Sequence, residues 1–360
     1  MRIAHLVASY HPRVGGVETH VGQLVRGLAS AGDEVTVLTH EVPGSASAEN
    51  AGTVQVLRFP LTVASRTYPL SLALFRYLRS HRSSFDIVHA HSYHTIAGHA
   101  AVGTGLPLVF TPHYHGTGHT PFRSLLHRLY RPAGARLFEA AAAVICVSAA
   151  ECSRVLADFP VAAGKVETIP NGTHLRAPAE AAEAPAAGQP VVLTVGRLER
   201  YKNVDLIIDA FQELPSPAAL VVVGDGPDRQ RLERLARAGE RRWPVTFTGR
   251  ISDHQLDGLF AQASVIACAS DHEAFGITLA EGLAAGARVV ASPIPAHAEV
   301  AELAGPQAPV VLVDPRDTRR FSASLAASVQ AGRAAAGQVG LPAWAEVVAA
   351  TRELYGRLRA

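Results

Sequence analysis

The chain has few cysteines and few charges, and each shortage excludes a class of protein. Only three of its 360 residues are cysteines (Cys146, Cys152 and Cys268), an odd number without C-x-x-C spacing. We therefore expect no disulfide framework and no thiolate zinc site. Cys146 and Cys268 stand in apolar runs, where a buried, reduced thiol is expected, as in a protein of the reducing cytosol.

Charge is scarce and balanced. Only 18% of the residues are charged, and 33 basic against 31 acidic residues give a net charge of +2. This argues against a nucleic-acid partner bound through a basic surface. Because 48% of the residues are hydrophobic, we expect a folded chain with disorder confined to one linker. At about 100–200 residues per domain, the length predicts two domains, or three small ones.

Long apolar runs are also missing. The first residues, MRIAHLVASYHP, end in polar residues and proline after a short apolar run, so we expect no secretory signal. Residues 87–122 contain no Asp, Glu, Lys or Arg, but they hold seven histidines and three prolines. They never give the roughly 20 apolar residues of a membrane span. We interpret them as uncharged polar structure that lines a cleft.

What the chain does have is a regular alternation of β-branched runs and helical patterns. The predicted strands are residues 2–8, 34–40, 86–91, 106–112, 142–148, 190–197, 218–226, 245–250, 263–270 and 287–292. Strands that are apolar on both faces and separated by helices predict parallel sheets covered on both sides. The sequence therefore predicts an α/β protein with two Rossmann-like domains whose sheets face each other across a cleft.

The predicted domain boundaries follow a change of composition. A segment rich in Ala, Pro and Glu, without periodicity, is typical of a linker. We expect residues 1–174 to form the first domain, 175–189 the linker and 190–342 the second domain. Residues 343–360 are predicted to form a C-terminal helix. This helix either belongs to one domain or bridges both, and one possible arrangement packs it back on the first domain.

Glycines and cations follow the predicted strands at their carboxyl ends, where open parallel sheets bind ligands. Gly15 and Gly16 open a helix and suit a phosphate or a sugar, although most glycine pairs only turn the chain. Arg197 and Lys202 follow another strand. Either both bind a diphosphate, Arg197 through the paired N–H groups of its guanidinium and Lys202 through its compact positive charge, or both are solvated cations on the surface.

A second glycine pair, Gly224 and Gly226, partly resembles a dinucleotide fingerprint. Arg229 stands where the third glycine of that fingerprint belongs, which counts against an NAD-dependent dehydrogenase.

Two carboxylates make residues 269–286 the segment richest in candidate residues. Glu273 lies in a predicted strand-to-helix loop, and Glu281 lies more than one turn into the helix that starts near Gly276. Such a helix start can hold a phosphate, while the carboxylates meet hydroxyl groups. Two carboxylates also suggest a glycosidase, but nothing in the chain predicts a glycosidase scaffold.

The chain resembles the retaining glycosyltransferases of the GT-B fold, family four of the sequence-based classification, also called glycosyl transferases group 1. The resemblance spans almost the whole chain. The segments that carry it are GGVE (15–18), TPHYHG (111–116), VICVS (144–148), IPNGTH (169–174), VGRLERYKN (195–203), VVGDGP (222–227), FTGRIS (247–252) and EAFGITLAEG (273–282). The last is the family's E-x7-E element. Ala269 and the pair Ala287-Arg288 depart from the family pattern at packing positions.

The resemblance implies roles for single residues. Arg197 and Lys202 would bind the diphosphate of the donor and stabilise the charge that develops on it. Glu281 would hold the ribose and Glu273 the donor sugar. His113 would lie beside the reacting sugar, so the implied catalytic residues are His113, Arg197, Lys202 and Glu273. The implied donor-binding residues are Gly15, Gly16, Arg197, Lys202, Arg250, Ile251, Glu273, Ala274, Phe275, Gly276, Ile277 and Glu281.

The resemblance also implies the reaction: a hexose moves from a UDP- or GDP-sugar to an acceptor hydroxyl, with retention by same-face attack and without a metal or other cofactor. The absence of an Asp-x-Asp motif agrees with this. The first domain would bind the acceptor, which is a glycolipid, a polyprenyl-linked glycan or a small molecule. Cell-envelope assembly is our first expectation. Secondary-metabolite glycosylation, a non-hydrolysing UDP-sugar 2-epimerase of the same fold and a non-catalytic binding module remain alternatives.

Nine of the 17 histidines lie between His81 and His127. Conceivable metal ligands among them are His89, His91, His113 and His115, but no carboxylate lies nearby in the sequence, so we expect no metal site.

Two basic amphipathic segments, residues 72–82 and 123–131, suit either an anionic bilayer or solvent. We expect a cytoplasmic protein, either free or peripheral on the inner face of the plasma membrane.

Overall fold

The computed structural model describes residues 1–13, 15–42, 44, 46–65, 68–116, 121–173, 189–238, 242–336 and 339–359, with the backbone alone for residues 51 and 121–127. The chain folds into two compact units. Met1–Gly172 and Trp344–Ala360 form the first, and Thr173–Ala343 form the second. Nearly all of the expected linker lies outside the described residues. Each unit is built on one sheet, and the prediction of an α/β protein with two parallel sheets is confirmed.

The first unit begins with a strand, a helix and a second strand. Its described strands are β1 (Arg2–Leu6), β2 (Glu34–His40), β3 (Ala48–Ala51), β4 (Val54–Phe59), β5 (Ile87–His91), β6 (Leu108–Thr111), β7 (Ala143–Cys146) and β8 (Val166–Thr168). Four of its helices are α1 (Gly16–Ser30), α2 (Leu72–Ser80), α3 (Pro121–Ala140) and α4 (Ala149–Asp158). The strand order is β3-β4-β2-β1-β5-β6-β7-β8, and only β3 runs antiparallel to its neighbour.

The second unit repeats the alternation. Its described strands are β9 (Val191–Val195), β10 (Ala219–Val223), β11 (Val245–Gly249), β12 (Val265–Cys268), β13 (Arg288–Ala291) and β14 (Val310–Leu312). Its described helices are α5 (Val204–Gln212), α6 (Arg229–Arg237), α7 (Asp253–Gln262), α8 (Ile277–Ala284), α9 (Pro295–Ala304) and α10 (Thr318–Ala331). The strand order is β11-β10-β9-β12-β13-β14, and all of the pairs are parallel.

Strand order fixes where each unit can hold a ligand. In the first sheet the chain builds outward from β1 on one side and from β5 on the other, so the order reverses between these two strands. The second sheet reverses in the same way between β9 and β12. At such a reversal the loops after neighbouring strands diverge and leave a crevice at the carboxyl ends of the strands, which is where open α/β sheets bind ligands.

Both faces of the first sheet are apolar because both are covered. Ile3 and Val37 belong to a buried cluster on one face, and Ala4 and Leu38 to a second cluster on the other. The first cluster also contains residues of the last helix, α11 (Trp344–Arg359). Helix α11 packs against α1 and belongs to the first unit.

The sequence did not predict the strands β3, β4, β8 and β14. All except β4 stand at the edge of a sheet. There one side of the strand is unpaired, so polar and exposed residues such as Glu49, Glu167 and Thr168 are tolerated and the apolar signal is weak. No helix in the described part of the chain combines the length and apolar character needed to cross a membrane.

Candidate functional site

Neighbouring strands bring the predicted residues of the second unit together. Lys202 ends a short 3-10 turn (Arg200–Lys202) after β9, and Glu273 lies in the loop after β12. Because β9 and β12 are adjacent and parallel, both loops leave the sheet at the same edge. Lys202 Nζ donates to Glu273 Oε1, and the two side chains are only 18% and 20% exposed.

Charge and hydrogen bonding keep this pair ionised. Burial by itself would raise the pKa of Glu273, but the Lys202 ammonium and a hydrogen bond from Ser270 Oγ (2.9 Å) lower it overall. Burial opposes the charge of Lys202 as well, yet Glu273 raises the pKa of that ammonium overall. Both described contacts of Glu273 use Oε1. Its second oxygen and the other N–H groups of Lys202 can therefore meet a ligand.

A thiol and an imidazole stand beside the pair. Cys268 is the last residue of β12, and its Sγ lies 3.7 Å from His297 Nε2 and 3.4 Å from Ser270 Oγ. The expectation of a buried thiol is wrong for Cys268, which is partly exposed because the strand ends there, and right for Cys146. Burial raises the pKa of the Cys268 thiol, but His297 outweighs it and lowers that pKa overall.

His297 is held in place from the start of α9. Its Nδ1 lies 2.9 Å from the carbonyl oxygen of Ser292, which can only accept, so Nδ1 carries the proton and Nε2 faces the thiol. Sequence reasoning missed His297. The only signal was its place shortly after β13, the strand next to β12.

The start of α8 lies next to this cluster. Gly276 precedes the helix with a φ of 112°, and a Cβ there would lie 3.3 Å from His297 Cδ2. The left-handed conformation and this contact both favour glycine. Phe275 is buried, Ala274 and Ile277 are partly exposed, and Glu281 is 8% exposed inside the helix.

The other predicted donor residues of this unit lie at the same edge of the sheet, with Arg197 in the loop after β9, like Lys202. The Arg197 side chain is 60% exposed and pairs with Glu199 at 2.6 Å. Arg250 and Ile251 follow β11, which β10 separates from β9. The structure therefore brings Lys202 and Glu273 into contact, and places Arg250 and Ile251 at the same edge of the sheet, two strands away.

The glycines after β10 have a packing role. A Cβ on Gly224 would lie 2.0 Å from the carbonyl oxygen of Gly196, and one on Gly226 would lie 2.4 Å from that of Leu198. The loops after β9 and β10 are so close that only glycine fits at both positions. This accounts for the partial resemblance to a dinucleotide fingerprint.

In the first unit, five imidazoles cluster at the reversal between β1 and β5. They are His5, His20, His89, His91 and His113, and all but the partly exposed His113 are buried. The ring centroids of His89 and His91 lie 4.1 Å apart, and those of His20 and His113 lie 4.8 Å apart. His115, the other predicted partner, instead stacks on His94.

Burial keeps these rings neutral at pH 7. For all five histidines burial is the largest cause of the lowered pKa. It lowers the pKa of His5 to about 3 and that of His20 to about 4. The pKa values of His89, His91 and His113 fall well below the ordinary value for the same reason, reinforced by neighbouring histidines.

The predicted glycines of this unit stand at the start of α1, which also carries His20. Gly15 is the N-cap residue, and a Cβ on the exposed Gly16 would meet no described atom within 4 Å. Sequence reasoning missed His5, His20 and Asn171. The segment IPNGTH (169–174), which contains Asn171, carries part of the family resemblance but implies no role for this residue. In the structure His20 Nδ1 lies 2.6 Å from Asn171 Oδ1.

Comparison with known proteins agrees with this division of the chain. A model described as Glycosyltransferase Family 4 matches residues 14–177, and one described as glycosyl transferases group 1 matches residues 177–331. Alpha-maltose-1-phosphate synthase of Mycolicibacterium smegmatis is 26% identical over an alignment of 396 positions, which covers 100% of both chains.

Two further proteins are similar in part or in fold. The GDP-mannose-dependent alpha-(1-6)-phosphatidylinositol dimannoside mannosyltransferase of Mycobacterium tuberculosis is 40% identical over 116 residues, 31% of this chain and 29% of the relative. The structure of sucrose-phosphate synthase from Thermosynechococcus elongatus superposes with a TM-score of 0.76 at 22% identity, covering 99% of this chain and 98% of that one.

Proposed function

The chain belongs to the family-four glycosyltransferases of the GT-B fold, and on this basis we propose that it transfers a hexose from a UDP- or GDP-sugar to an acceptor hydroxyl, with retention and without a metal ion. The observation that carries the proposal is the Lys202–Glu273 pair at the crevice between β9 and β12. A cation and a carboxylate in contact there suit the two ends of a diphosphate sugar.

The second unit is proposed to bind the donor. Lys202 keeps N–H donors for the diphosphate oxygens. The exposed Arg197 pairs with Glu199, and its other guanidinium N–H groups add a second set of donors for the diphosphate. The free oxygen of Glu273 accepts hydrogen bonds from hydroxyl groups of the sugar. Glu281 holds the ribose, and the start of α8 at Gly276 faces phosphate.

Transfer breaks the bond between the anomeric carbon and the diphosphate oxygen and forms one to the acceptor oxygen. Negative charge builds on the leaving phosphate, where Lys202 and Arg197 stabilise it more strongly than in the ground state. The acceptor attacks from the face that the phosphate leaves, and its proton passes to a phosphate oxygen. His113 of the first unit is proposed to contact the reacting sugar.

Retention is supported by the name of one relative. GDP-mannose carries its diphosphate in the α configuration, and this relative is named as a GDP-mannose-dependent alpha-(1-6) mannosyltransferase. An α product from an α donor requires retention. Since one relative is named for a phosphatidylinositol mannoside, we place the acceptor in cell-envelope glycan or glycolipid assembly, with basic helices such as α2 against the bilayer.

The test begins with the donor. Melting temperatures are measured with UDP, GDP and ADP and with their hexose derivatives, because a ligand bound to the native state raises stability. We expect one nucleotide series to raise the melting temperature of the wild type, and Glu281→Gln to abolish that rise. The donor identified in this way is then incubated in EDTA with lipid, polyprenyl and small-molecule acceptors, and the anomeric configuration of the product is read by NMR.

A product of α configuration formed in EDTA supports the proposal. It is overturned if no nucleotide shifts the melting temperature, if transfer needs an added metal, or if the product is β. Conversion of the donor to a new sugar without any acceptor identifies a 2-epimerase instead.

A further inference from the structure

We infer that His20, His91 and His113 form a binding site for one divalent transition-metal ion of the zinc type. The three rings each offer one ring nitrogen, and these nitrogens lie within 4.8 Å of one another. Three nitrogens held at about 2.1 Å from a tetrahedral Zn²⁺ lie about 3.4 Å apart. Closing the site therefore requires side-chain movements on the order of 1 Å.

The hydrogen bonds of His20 leave one lone pair for the ion. Its Nδ1 lies 2.6 Å from Asn171 Oδ1, an amide oxygen that can only accept, so Nδ1 carries the proton. The other ring nitrogen, Nε2, is then an unprotonated acceptor, and it is buried without a described partner. An oxygen that fixes the tautomer of a ligating histidine is the usual outer contact of protein metal sites.

His91 and His113 offer buried nitrogens of the same kind. Nδ1 of His91 and Nε2 of His113 have no hydrogen-bond partner in the described part of the chain. His91 Nε2 lies 3.0 Å from His5 Nδ1. If His91 Nε2 donates to His5, the lone pair of His91 Nδ1 is free for the ion, and metal binding selects this tautomer.

A second triad, His5, His89 and His91, satisfies the same distance criterion but is the weaker candidate. Both ring nitrogens of His89 are already used, Nδ1 by Tyr355 Oη at 2.6 Å and Nε2 by Thr111 Oγ1 at 2.7 Å. A ligand there would have to break a buried hydrogen bond, whereas His20, His91 and His113 each keep one buried ring nitrogen without a described partner.

The site has the form of an open metal centre. Three histidines supply three of the four positions that Zn²⁺ prefers, which leaves the fourth for water or a ligand. The rings come from α1, β5 and the loop after β6, so the ion would cross-link three elements at the strand reversal of the first unit.

The sequence predicts no metal site here because no carboxylate lies nearby, and the conceivable ligands that it offers beside His91 and His113 are His89 and His115. Only the fold shows that α1 brings His20 over the strand ends.

The test uses Co²⁺ as a coloured substitute for Zn²⁺. The full chain, stripped with EDTA and exchanged into metal-free buffer, is titrated with Co²⁺ and followed by its visible d–d absorption. We expect one equivalent per chain with tetrahedral intensity. His91→Gln and His20→Gln weaken binding at least 10-fold, and Asn171→Ala, which removes only the outer contact, weakens it about 10-fold to 100-fold.

His40→Gln is the matched control, since His40 is a buried histidine of the same sheet outside the cluster, and it should bind Co²⁺ like the wild type. The inference is overturned if the wild type shows no tetrahedral spectrum, or if His91→Gln and Asn171→Ala both bind as tightly as the wild type. A thiolate-to-cobalt charge-transfer band that disappears in Cys268→Ser also overturns it, because the ion would then lie at Cys268 and His297. None of these readouts depends on sugar transfer.

Discussion

Lys202 and Glu273 are 71 residues apart in sequence and form a mostly buried ion pair at the adjoining ends of β9 and β12. Breaking a buried pair by removing one partner leaves an uncompensated charge. A binding site can tolerate such a pair when the ligand supplies a second partner to each group. In the proposed reaction the diphosphate does this for Lys202 and the sugar hydroxyls for Glu273.

Replacing Lys202 with Met should lower kcat by about 100-fold to 1,000-fold, because the cation that stabilises the leaving diphosphate is lost. Steady-state kinetics with the donor identified by thermal shift measure this effect. Arg200→Met is the matched control: Arg200 lies in the same 3-10 turn but is 71% exposed and pairs with Asp228. It should keep kcat within about two-fold. Equal losses in both variants would point to a general loss of local structure.

Alkylation should distinguish Cys268 from Cys146. The pKa of the Cys268 thiol is lowered below the ordinary value of 9.0, whereas burial raises that of Cys146. Thiolate forms above the pKa, so labelling of Cys268 by iodoacetamide should increase with pH through a midpoint below 9.0, with Cys146 unlabelled. Peptide mass spectrometry gives the rate at each site.

His297→Gln should move the midpoint of Cys268 labelling to higher pH, because the imidazole that favours the thiolate is gone. A midpoint that stays in place would contradict the assigned role of His297.

Gly224→Ala should destabilise the protein by about 2–4 kcal/mol. The new Cβ would lie 2.0 Å from the Gly196 carbonyl oxygen, at a φ of 122° that side chains rarely adopt. Urea unfolding measures the free energy of unfolding. Gly356→Ala in α11 is the control, since its Cβ meets no described atom within 4 Å, and it should be neutral or slightly stabilising.

Zinc should inhibit sugar transfer although transfer needs no metal. His113 is assigned both to the reacting sugar and to the three-histidine site, so an ion on its ring nitrogen removes it from the reaction. Activity should be unchanged by EDTA and should fall as Zn²⁺ is added. His20→Gln, compared with its own zinc-free rate, should be inhibited only at zinc concentrations at least 10-fold higher. Equal inhibition of both proteins would place the inhibitory ion elsewhere.

The fold was largely readable from sequence because interior strands such as ALVVV (219–223) and VIAC (265–268) are apolar on both faces. The edge strands were not, since a strand such as β3, with the sequence AENA, has no apolar face to detect. Local sequence pattern also places Glu273, Gly276 and Lys202 at strand ends. It does not show which strands are neighbours in the sheet, and Lys202 meets Glu273 only because β9 and β12 are adjacent.

Side chains that matter only through long-range contacts were beyond sequence reasoning. His297 reaches Cys268 across neighbouring strands, and His20 reaches Asn171 over 151 positions. Neither residue stands in a distinctive local pattern. The signature around Asn171 carried a signal, but only the folded first unit connects it to His20.

A crystal structure with bound UDP or GDP is the decisive test of donor binding. We expect the diphosphate within hydrogen-bond distance of Lys202 Nζ and the ribose hydroxyls at Glu281, with the nucleotide over the carboxyl ends of β9 and β12. A nucleotide bound away from both side chains would rule out this donor site.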